Sequence, residues 1–124
     1  MRIEASAPGR CGIIGNPTDG YGGCVISCSL RERARVVLTT PADELSVTAL
    51  GRTATFRDRS DCHLKDDYFD FLRAILSFLR RFDLRFRMEV STEVPVNAGL
   101  AGSTAVLVSA LVAVLRLCAD FGNL

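Results

Sequence analysis

Apolar and polar residues along this chain follow two different periods, which together predict strands and helices. Near the N-terminus, Ile3, Ala5 and Ala7 alternate with polar residues, which is typical of a half-buried strand. Short β-branched or apolar runs follow, separated by charged or turn-forming residues, and they indicate antiparallel strands and hairpins. These runs are Cys24–Leu30, Arg35–Thr39, Leu45–Leu50 and Thr53–Arg57. Clean alternation from Leu84 to Val90 predicts one more strand.

Two stretches have helical spacing instead. The first starts at Asp66 and Asp67 and predicts an amphipathic helix that packs on the sheet, with Arg73 and Arg80 on its polar side. Its apolar positions are Phe69, Leu72, Leu76 and Leu79, with Ile75 as a further candidate.

The second predicted helix runs from about Ser103 to Asp120 and is apolar on nearly every side. We therefore expect it to be buried against more than one surface, with part of that cover missing from this chain. Its apolar run, Ala105–Leu115, is shorter than the roughly 18 to 20 residues needed to cross a bilayer. This favours a core helix, and no membrane is expected as a partner.

Composition narrows the function only slightly. The 124 residues are 48% hydrophobic, which is enough for one globular unit or a piece of one, and the net charge of +1 neither demands nor excludes an anionic partner. Five cysteines without a Cys-x-x-Cys pair, and an N-terminus without a signal segment, indicate a reduced cytoplasmic protein. The lone histidine, His63, lies in a polar stretch and is assigned no chemistry.

The segment Pro95–Ala105, PVNAGLAGSTA, places two glycines and a Ser-Thr pair directly before the apolar helix. A helix that begins in this way presents unpaired backbone N–H groups and the positive end of its dipole, which suits a phosphate. The alternative is that Gly99 and Gly102 only relieve crowding in a turn while Ser103 caps the helix.

A second glycine-rich stretch strengthens the first interpretation. Residues Ala7–Ser27, APGRCGIIGNPTDGYGGCVIS, set arginine, aspartate and tyrosine among glycines and prolines. Polar side chains on a loop of this composition are typical of a binding site.

Together, the two stretches resemble the paired motifs of the GHMP kinase family, which includes galactokinase, homoserine kinase, mevalonate kinase and glucuronokinase. The second stretch is similar to the family's phosphate-binding motif. The first is similar to its N-terminal motif, with Asn16-Pro17 where many members have Glu-His and with an extra Gly20; the form GNPTDGYGG is nearest to glucuronokinase-like members. The matching positions in the first stretch are Pro8, Gly9, Arg10, Gly15, Asp19 and Tyr21.

This resemblance implies an α+β fold of the ribosomal-protein-like βαβ kind, with a mixed or antiparallel sheet packed against helices. It implies that residues 1–124 are the N-terminal, ATP-binding domain of a longer enzyme, truncated before the C-terminal domain and the usual catalytic aspartate. The implied function is ATP-dependent transfer of the γ-phosphate to a sugar or sugar acid. We expect the chain alone to be inactive and its uncovered surface to promote self-association.

The resemblance also assigns residues. Arg10 would lie near the transferring phosphate, while Asn16, Asp19 and Tyr21 would contact the acceptor. Either Ser103 or Thr104 would offer its hydroxyl to magnesium, a cation that prefers oxygen ligands, and the sequence does not choose between them. The nucleotide phosphates would contact Asn97, Ala98, Gly99, Leu100, Ala101, Gly102, Ser103 and Thr104.

Two alternatives stay open. One is a kinase of the mevalonate, phosphomevalonate or homoserine branch, which the amino-acid sequence of the first motif disfavours. The other is a non-catalytic RNA- or nucleotide-binding module that uses arginines of the Arg80–Arg87 region, although alternating arginines on a strand are commonly only solvated.

Overall fold

The computed structural model describes residues 1–14, 22–57, 68–95 and 100–120, and these form an α+β fold. The elements are β1 (Arg2–Ile14), β2 (Ile26–Thr39), β3 (Leu45–Ala49), β4 (Arg52–Phe56), α1 (Asp70–Leu79), β5 (Arg87–Thr92) and α2 (Gly102–Asp120). The five strands form a sheet with the order β1-β2-β5-β3-β4. Neighbouring strands are antiparallel except for β3 and β5, which are parallel, so the sheet is mixed, one of the two forms that the resemblance implies.

The core lies between one face of this sheet and the two helices. Alternate residues of the central strands face it, and Val36, Leu38, Val47 and Met88 have no exposed surface. The other face of the sheet carries polar and charged residues of both signs, Glu4 and Arg35 among them. Inward-facing alternation in the Leu84–Val90 run is confirmed, since Leu84 and Phe86 are also buried, although β5 itself begins at Arg87.

Helix α2 is a core helix, and its cover is incomplete. Residues Ala110, Ala113, Val114 and Leu117 are buried in the core. On its other side Leu107 is 37% exposed, Val108 42% and Val112 51%. The helix is longer than its apolar run: Gly102–Ala119 has 18 residues with a mean hydropathy of 1.9, so by length and composition alone it could cross a membrane. Its packing against the sheet supports the core assignment.

The prediction for Arg73 is wrong. Its side chain is 5% exposed and donates a 3.0 Å hydrogen bond to Asp70 one turn earlier, while its guanidinium carbon lies 5.3 Å from the ring centre of Phe56. A guanidinium can be buried here because a carboxylate and an aromatic face replace water. Arg80 lies on no face of α1, because it ends the helix in a left-handed conformation with φ of 54°.

The strand pattern near the N-terminus also differs from the prediction. The first glycine stretch was expected to form a loop from Ala7, yet β1 continues through Pro8, Gly9 and Arg10 to Ile14. Likewise, the two predicted runs Cys24–Leu30 and Arg35–Thr39 are parts of a single strand, β2. The strand continues through the charged residues between those runs because the pairing of β1 with β2 shifts in register there. Pro8 pairs with Arg33, whereas Arg10 pairs with Ser29.

Candidate phosphate-binding site

The two glycine-rich motifs meet in the folded chain. The backbone N–H of Arg10, on β1, donates a 2.8 Å hydrogen bond to the carbonyl oxygen of Leu100, two residues before α2 begins. The two residues are 90 positions apart in the sequence, so this contact fixes the first motif directly against the start of the helix.

Gly9 makes this contact possible. A Cβ atom added at Gly9 would lie 2.8 Å from the Leu100 carbonyl oxygen and 3.1 Å from Cγ1 of Val94. Real Cβ atoms do not approach backbone oxygen so closely, so only glycine lets the two backbones come together. Gly9 belongs to the first motif, but its close contact with Leu100 was not predicted, because the sequence favours a loop and not a strand at this position.

The first turn of α2 is open to a ligand. Its first helical hydrogen bond runs from the Ala105 amide to the Ala101 carbonyl, at 3.0 Å, so the amides of Gly102, Ser103 and Thr104 precede the first helical donor. The side chains of Ser103 and Thr104 are exposed, and the first turn contains no acidic residue. The dipole and the amides therefore favour an anion at this end.

The left-handed residue at this turn is Ala101, with φ of 59°, and not Gly102. A Cβ atom added at Gly102 would meet Val94 Cγ1 at 3.4 Å, an ordinary contact. Among the described residues, therefore, no neighbour crowds Gly102, and the alternative that this glycine relieves crowding gains no support from them.

The segment before the second motif is anchored to the sheet. Glu93 continues the pairing of β5 with β2, because its N–H donates to the Arg33 carbonyl at 3.0 Å and its carboxylate accepts from the Arg33 N–H at 3.4 Å. The Val94 N–H donates to Oγ1 of Thr92, also at 3.0 Å. Val94 is buried, so the chain enters the second motif from a fixed position.

Arg33 also ties this segment to β1. Its guanidinium donates to Oγ of Ser6 at 3.0 Å and to the Ser6 carbonyl at 3.3 Å. The Arg33 side chain thereby links β2 to the edge strand β1, which carries Arg10, while the Arg33 backbone bonds to Glu93 directly after β5. This link was not predicted from the sequence.

The predicted site residues fall into two groups. Arg10 is exposed on β1, and the start of α2 beside it contains Leu100, Ala101, Gly102, Ser103 and Thr104. The predicted acceptor contacts and the first part of the second motif lie outside the described residues; they are Asn16, Asp19, Tyr21, Asn97, Ala98 and Gly99. His63 also lies outside them.

For magnesium, the described residues offer hydroxyl groups and no cluster of acids. Among residues 1–14, 22–57, 68–95 and 100–120, no group of three or more His, Cys, Asp or Glu side chains could hold a metal ion. The hydroxyls of Ser103 and Thr104 are both exposed, so both stay candidates for a magnesium ion that is also held by nucleotide phosphates.

Solved structures of kinases have the same fold. A D-glycero-D-manno-heptose 1-phosphate kinase from Bacteriodes thetaiotaomicron superposes with a TM-score of 0.76 at 18% identity, covering 96% of this chain and 42% of that one. A mevalonate kinase from Methanococcus jannaschii gives 0.75 at 17% identity, with 94% and 40% covered. Lactococcus lactis galactokinase, solved with galactose, gives 0.74 at 21% identity, with 99% and 33% covered.

These similarities establish the fold, and the coverage shows that this chain spans 33% to 42% of the length of those three kinases. A match to a family sequence model is more specific than a shared fold. Residues 70–123 match the family described as GHMP kinases N terminal domain, and this stretch contains α1, β5, the second glycine motif and α2. The match and the shared fold confirm the resemblance to GHMP kinases, and the matched stretch is similar to their N-terminal domain.

Proposed function

We propose that this chain is the N-terminal, phosphate-binding part of an ATP-dependent kinase that transfers the γ-phosphate to a sugar or sugar acid. The observation that carries the proposal is the hydrogen bond from the Arg10 amide to the Leu100 carbonyl. This bond lies between a permanently charged, exposed arginine and a helix N-terminus at which Ser103 and Thr104 are exposed.

This combination suits phosphoryl transfer, in which positioning and charge stabilisation provide most of the catalysis. Backbone amides of Gly102, Ser103 and Thr104 would hold nucleotide phosphate oxygens. The Arg10 guanidinium would offset negative charge on the transferring group. ATP would supply the phosphoryl group, and magnesium would be held in part by the hydroxyl of Ser103 or Thr104.

The choice of a sugar or sugar acid rests on the first motif, GNPTDGYGG, and two of the similar structures are kinases of a sugar or a sugar phosphate. A mevalonate kinase has the same fold at a nearly equal TM-score, so the fold does not separate the acceptor classes. Mevalonate, phosphomevalonate or homoserine is therefore the alternative acceptor.

We further propose that the 124-residue chain alone turns over little. Arg10, Ser103 and Thr104 can bind phosphate, but none of them is a general base for an acceptor hydroxyl. Sugar phosphorylation by the purified chain at ordinary kinase rates, roughly 1 to 100 per second, would contradict this part of the proposal without affecting nucleotide binding.

Nucleotide binding is the direct test. The melting temperature of the purified chain should rise with added ATP, and rise further when magnesium is present, because a ligand that binds only the folded state stabilises it. ADP should act similarly and adenosine much less, since the site recognises phosphate. Equal stabilisation by adenosine and ATP, or none by either, would overturn the proposal.

RNA binding is the outcome expected if the chain is instead a non-catalytic RNA-binding module. The outer face of the sheet carries Arg35 and Arg87, but Glu4 and Glu89 lie on the same face, so its charge is mixed. We expect no RNA affinity that falls steeply between two salt concentrations. Salt-sensitive RNA binding without stabilisation by ATP would favour the non-catalytic module.

A further inference from the structure

We propose that Cys11 and Cys28 form a site of reversible disulfide formation that links β1 to β2 next to Arg10. The two residues are direct partners in the antiparallel pairing of these strands, so their side chains lie on the same face of the sheet. They are 17 positions apart in the sequence and come together only because of the register shift between Pro8 and Arg10.

The backbone geometry of such a pair suits a disulfide. Opposite residues in an antiparallel pair have Cα atoms about 4.5 Å apart at non-hydrogen-bonded positions and about 5.5 Å apart at hydrogen-bonded ones. Both values fall within the range of roughly 4.4 to 6.8 Å over which two cysteines can be bridged. Rotation of the two side chains is therefore sufficient, without a change in strand pairing.

Both thiols are free and can be reached. Cys28 is exposed and Cys11 is half-buried, with a weak 3.7 Å contact from its Sγ to the Gly12 carbonyl as its hydrogen bond. The neighbouring side chains Ile13, Ile14 and Ile26 are about 60% exposed, at 64%, 63% and 59%. This end of the strand pair lies outside the core, so the cysteine side chains can turn toward each other without disturbing it.

The other described cysteines are poor candidates for the disulfide partner of Cys11. Cys118 is 1% exposed and lies in the core on α2. Cys24 is exposed but precedes β2, so no strand pairing holds it opposite Cys11. The register therefore selects Cys28 as the partner.

The oxidant would be a low-molecular-weight disulfide. The thiolate of Cys28 attacks one sulfur of that disulfide, forms a mixed disulfide and releases one thiol. The thiolate of Cys11 then attacks the Cys28 sulfur, forming the Cys11–Cys28 bond and releasing the second thiol. Two protein thiols are oxidised and one external disulfide is reduced to two thiols, so atoms and electrons balance.

The test uses the 124-residue chain with Cys24→Ser, which removes the competing thiol four positions before Cys28. The protein is incubated with oxidised glutathione, remaining thiols are alkylated, and the chain is cleaved after arginine and before Asp19. Residues 11–18 and 19–31 then fall in separate peptides, each with one of the two cysteines. We expect a single species with the summed mass of both peptides less two hydrogen atoms, which a dithiol reductant separates.

The same oxidised sample should melt at a higher temperature than its reduced form, by on the order of 5 °C, because the link closes a loop of the unfolded chain. Cys28→Ser in the same background should lose both the linked peptide and this rise. In the original chain, urea should shift the linkage from Cys11–Cys28 toward other pairs, since strand register no longer selects the partner.

Three outcomes would overturn the inference: separate glutathione adducts on Cys11 and Cys28, alkylation of both after oxidation, or a disulfide-linked dimer as the main product. None of these readouts involves nucleotide, so the inference does not depend on the proposed kinase function.

Discussion

Gly9 lies so close to the Leu100 carbonyl oxygen that a methyl group at Gly9 would approach that oxygen to 2.8 Å. The first prediction compares Gly9→Ala with Gly102→Ala. Gly9→Ala should destabilise the chain by about 1–3 kcal/mol, because the strand or the second motif must move to relieve the clash. Gly102→Ala should leave stability unchanged or raise it by up to about 1 kcal/mol, because its Cβ atom meets only ordinary contacts.

Urea denaturation of both variants measures the two free energies of unfolding. Equal losses in both would mean that the two glycines serve the same local role in the turn. A stable Gly9→Ala protein would mean that the contact between the motifs is not a close one.

Local periodicity was sufficient to find the helices and most strands. The predicted apolar positions Leu72 and Leu76 of α1 are buried, and so are Leu84, Phe86 and Met88 in the alternating run, so the spacing of apolar residues predicts which side chains pack in the core. The parallel pairing of β3 with β5 could not be predicted in this way, because inward and outward alternation is the same in parallel and antiparallel strands.

Where the prediction failed, tertiary contacts outweighed composition. Pro8 and Gly9 are typical of loops, yet β1 includes them because it is an edge strand of the sheet and because Gly9 meets Leu100. Arg73 was placed on the polar face because its carboxylate partner and aromatic neighbour are known only from the folded structure. In the site, the motifs were predictable, but the hydrogen bond that joins them was not.

The second prediction concerns the ion pair of buried Arg73 and half-buried Asp70. Asp70→Asn removes the charge from the partner of a guanidinium that is 5% exposed, so the free energy of unfolding should fall by about 1–3 kcal/mol. Because the pair is shielded from solvent, most of the loss should persist in high salt. Asp43→Asn, at an exposed position, is the matched control and should change stability by less than about 0.5 kcal/mol. A loss that disappears in high salt would indicate only an effect on the dipole of α1.

The third prediction is a pH dependence. The Arg81 guanidinium donates hydrogen bonds of 3.0 and 3.1 Å to both carboxylate oxygens of Asp83, which lowers the pKa of that carboxyl below its ordinary value of 3.8. Since the folded-state pKa is the lower one, the pair stabilises the protein above pH 3.8, and this stabilisation is lost as the pH falls through the folded-state value.

Asp83→Asn should therefore lower stability at pH 7 and have a smaller effect at about pH 2. The side chain of Asp83 is 71% exposed, so the loss at pH 7 should be below about 1 kcal/mol. Melting temperatures at the two pH values measure it. In an Arg81→Gln background the effect at pH 7 should vanish, and its persistence there would assign it to another partner.

The fourth prediction concerns the exposed apolar side of α2. We expect the chain to self-associate through Leu107, Val108 and Val112, because contiguous apolar surface on a helix favours burial against a second copy. Val108→Gln with Val112→Gln should weaken association on the order of tenfold, as measured by sedimentation over a range of concentrations. Phe78→Gln, which removes an 84% exposed ring from α1, is the control and should leave association unchanged. A strictly monomeric original chain at high concentration would contradict the prediction.

The last prediction separates ligand binding from folding at the start of α2. Ser103→Asp places a carboxylate in a first turn that has no acidic residue, so the dipole should stabilise the ligand-free protein by about 0.3–1 kcal/mol. The same carboxylate should repel nucleotide phosphates and compete for the amides, so ATP affinity should fall on the order of tenfold or more.

The control variant is Arg52→Gln on the edge strand β4, which lowers the net charge by the same single unit. It should leave ATP affinity within about twofold. Melting temperatures measured with and without ATP report both quantities. Because stability and affinity are expected to change in opposite directions, misfolding cannot produce the result, whereas full ATP affinity in Ser103→Asp would place the phosphates elsewhere.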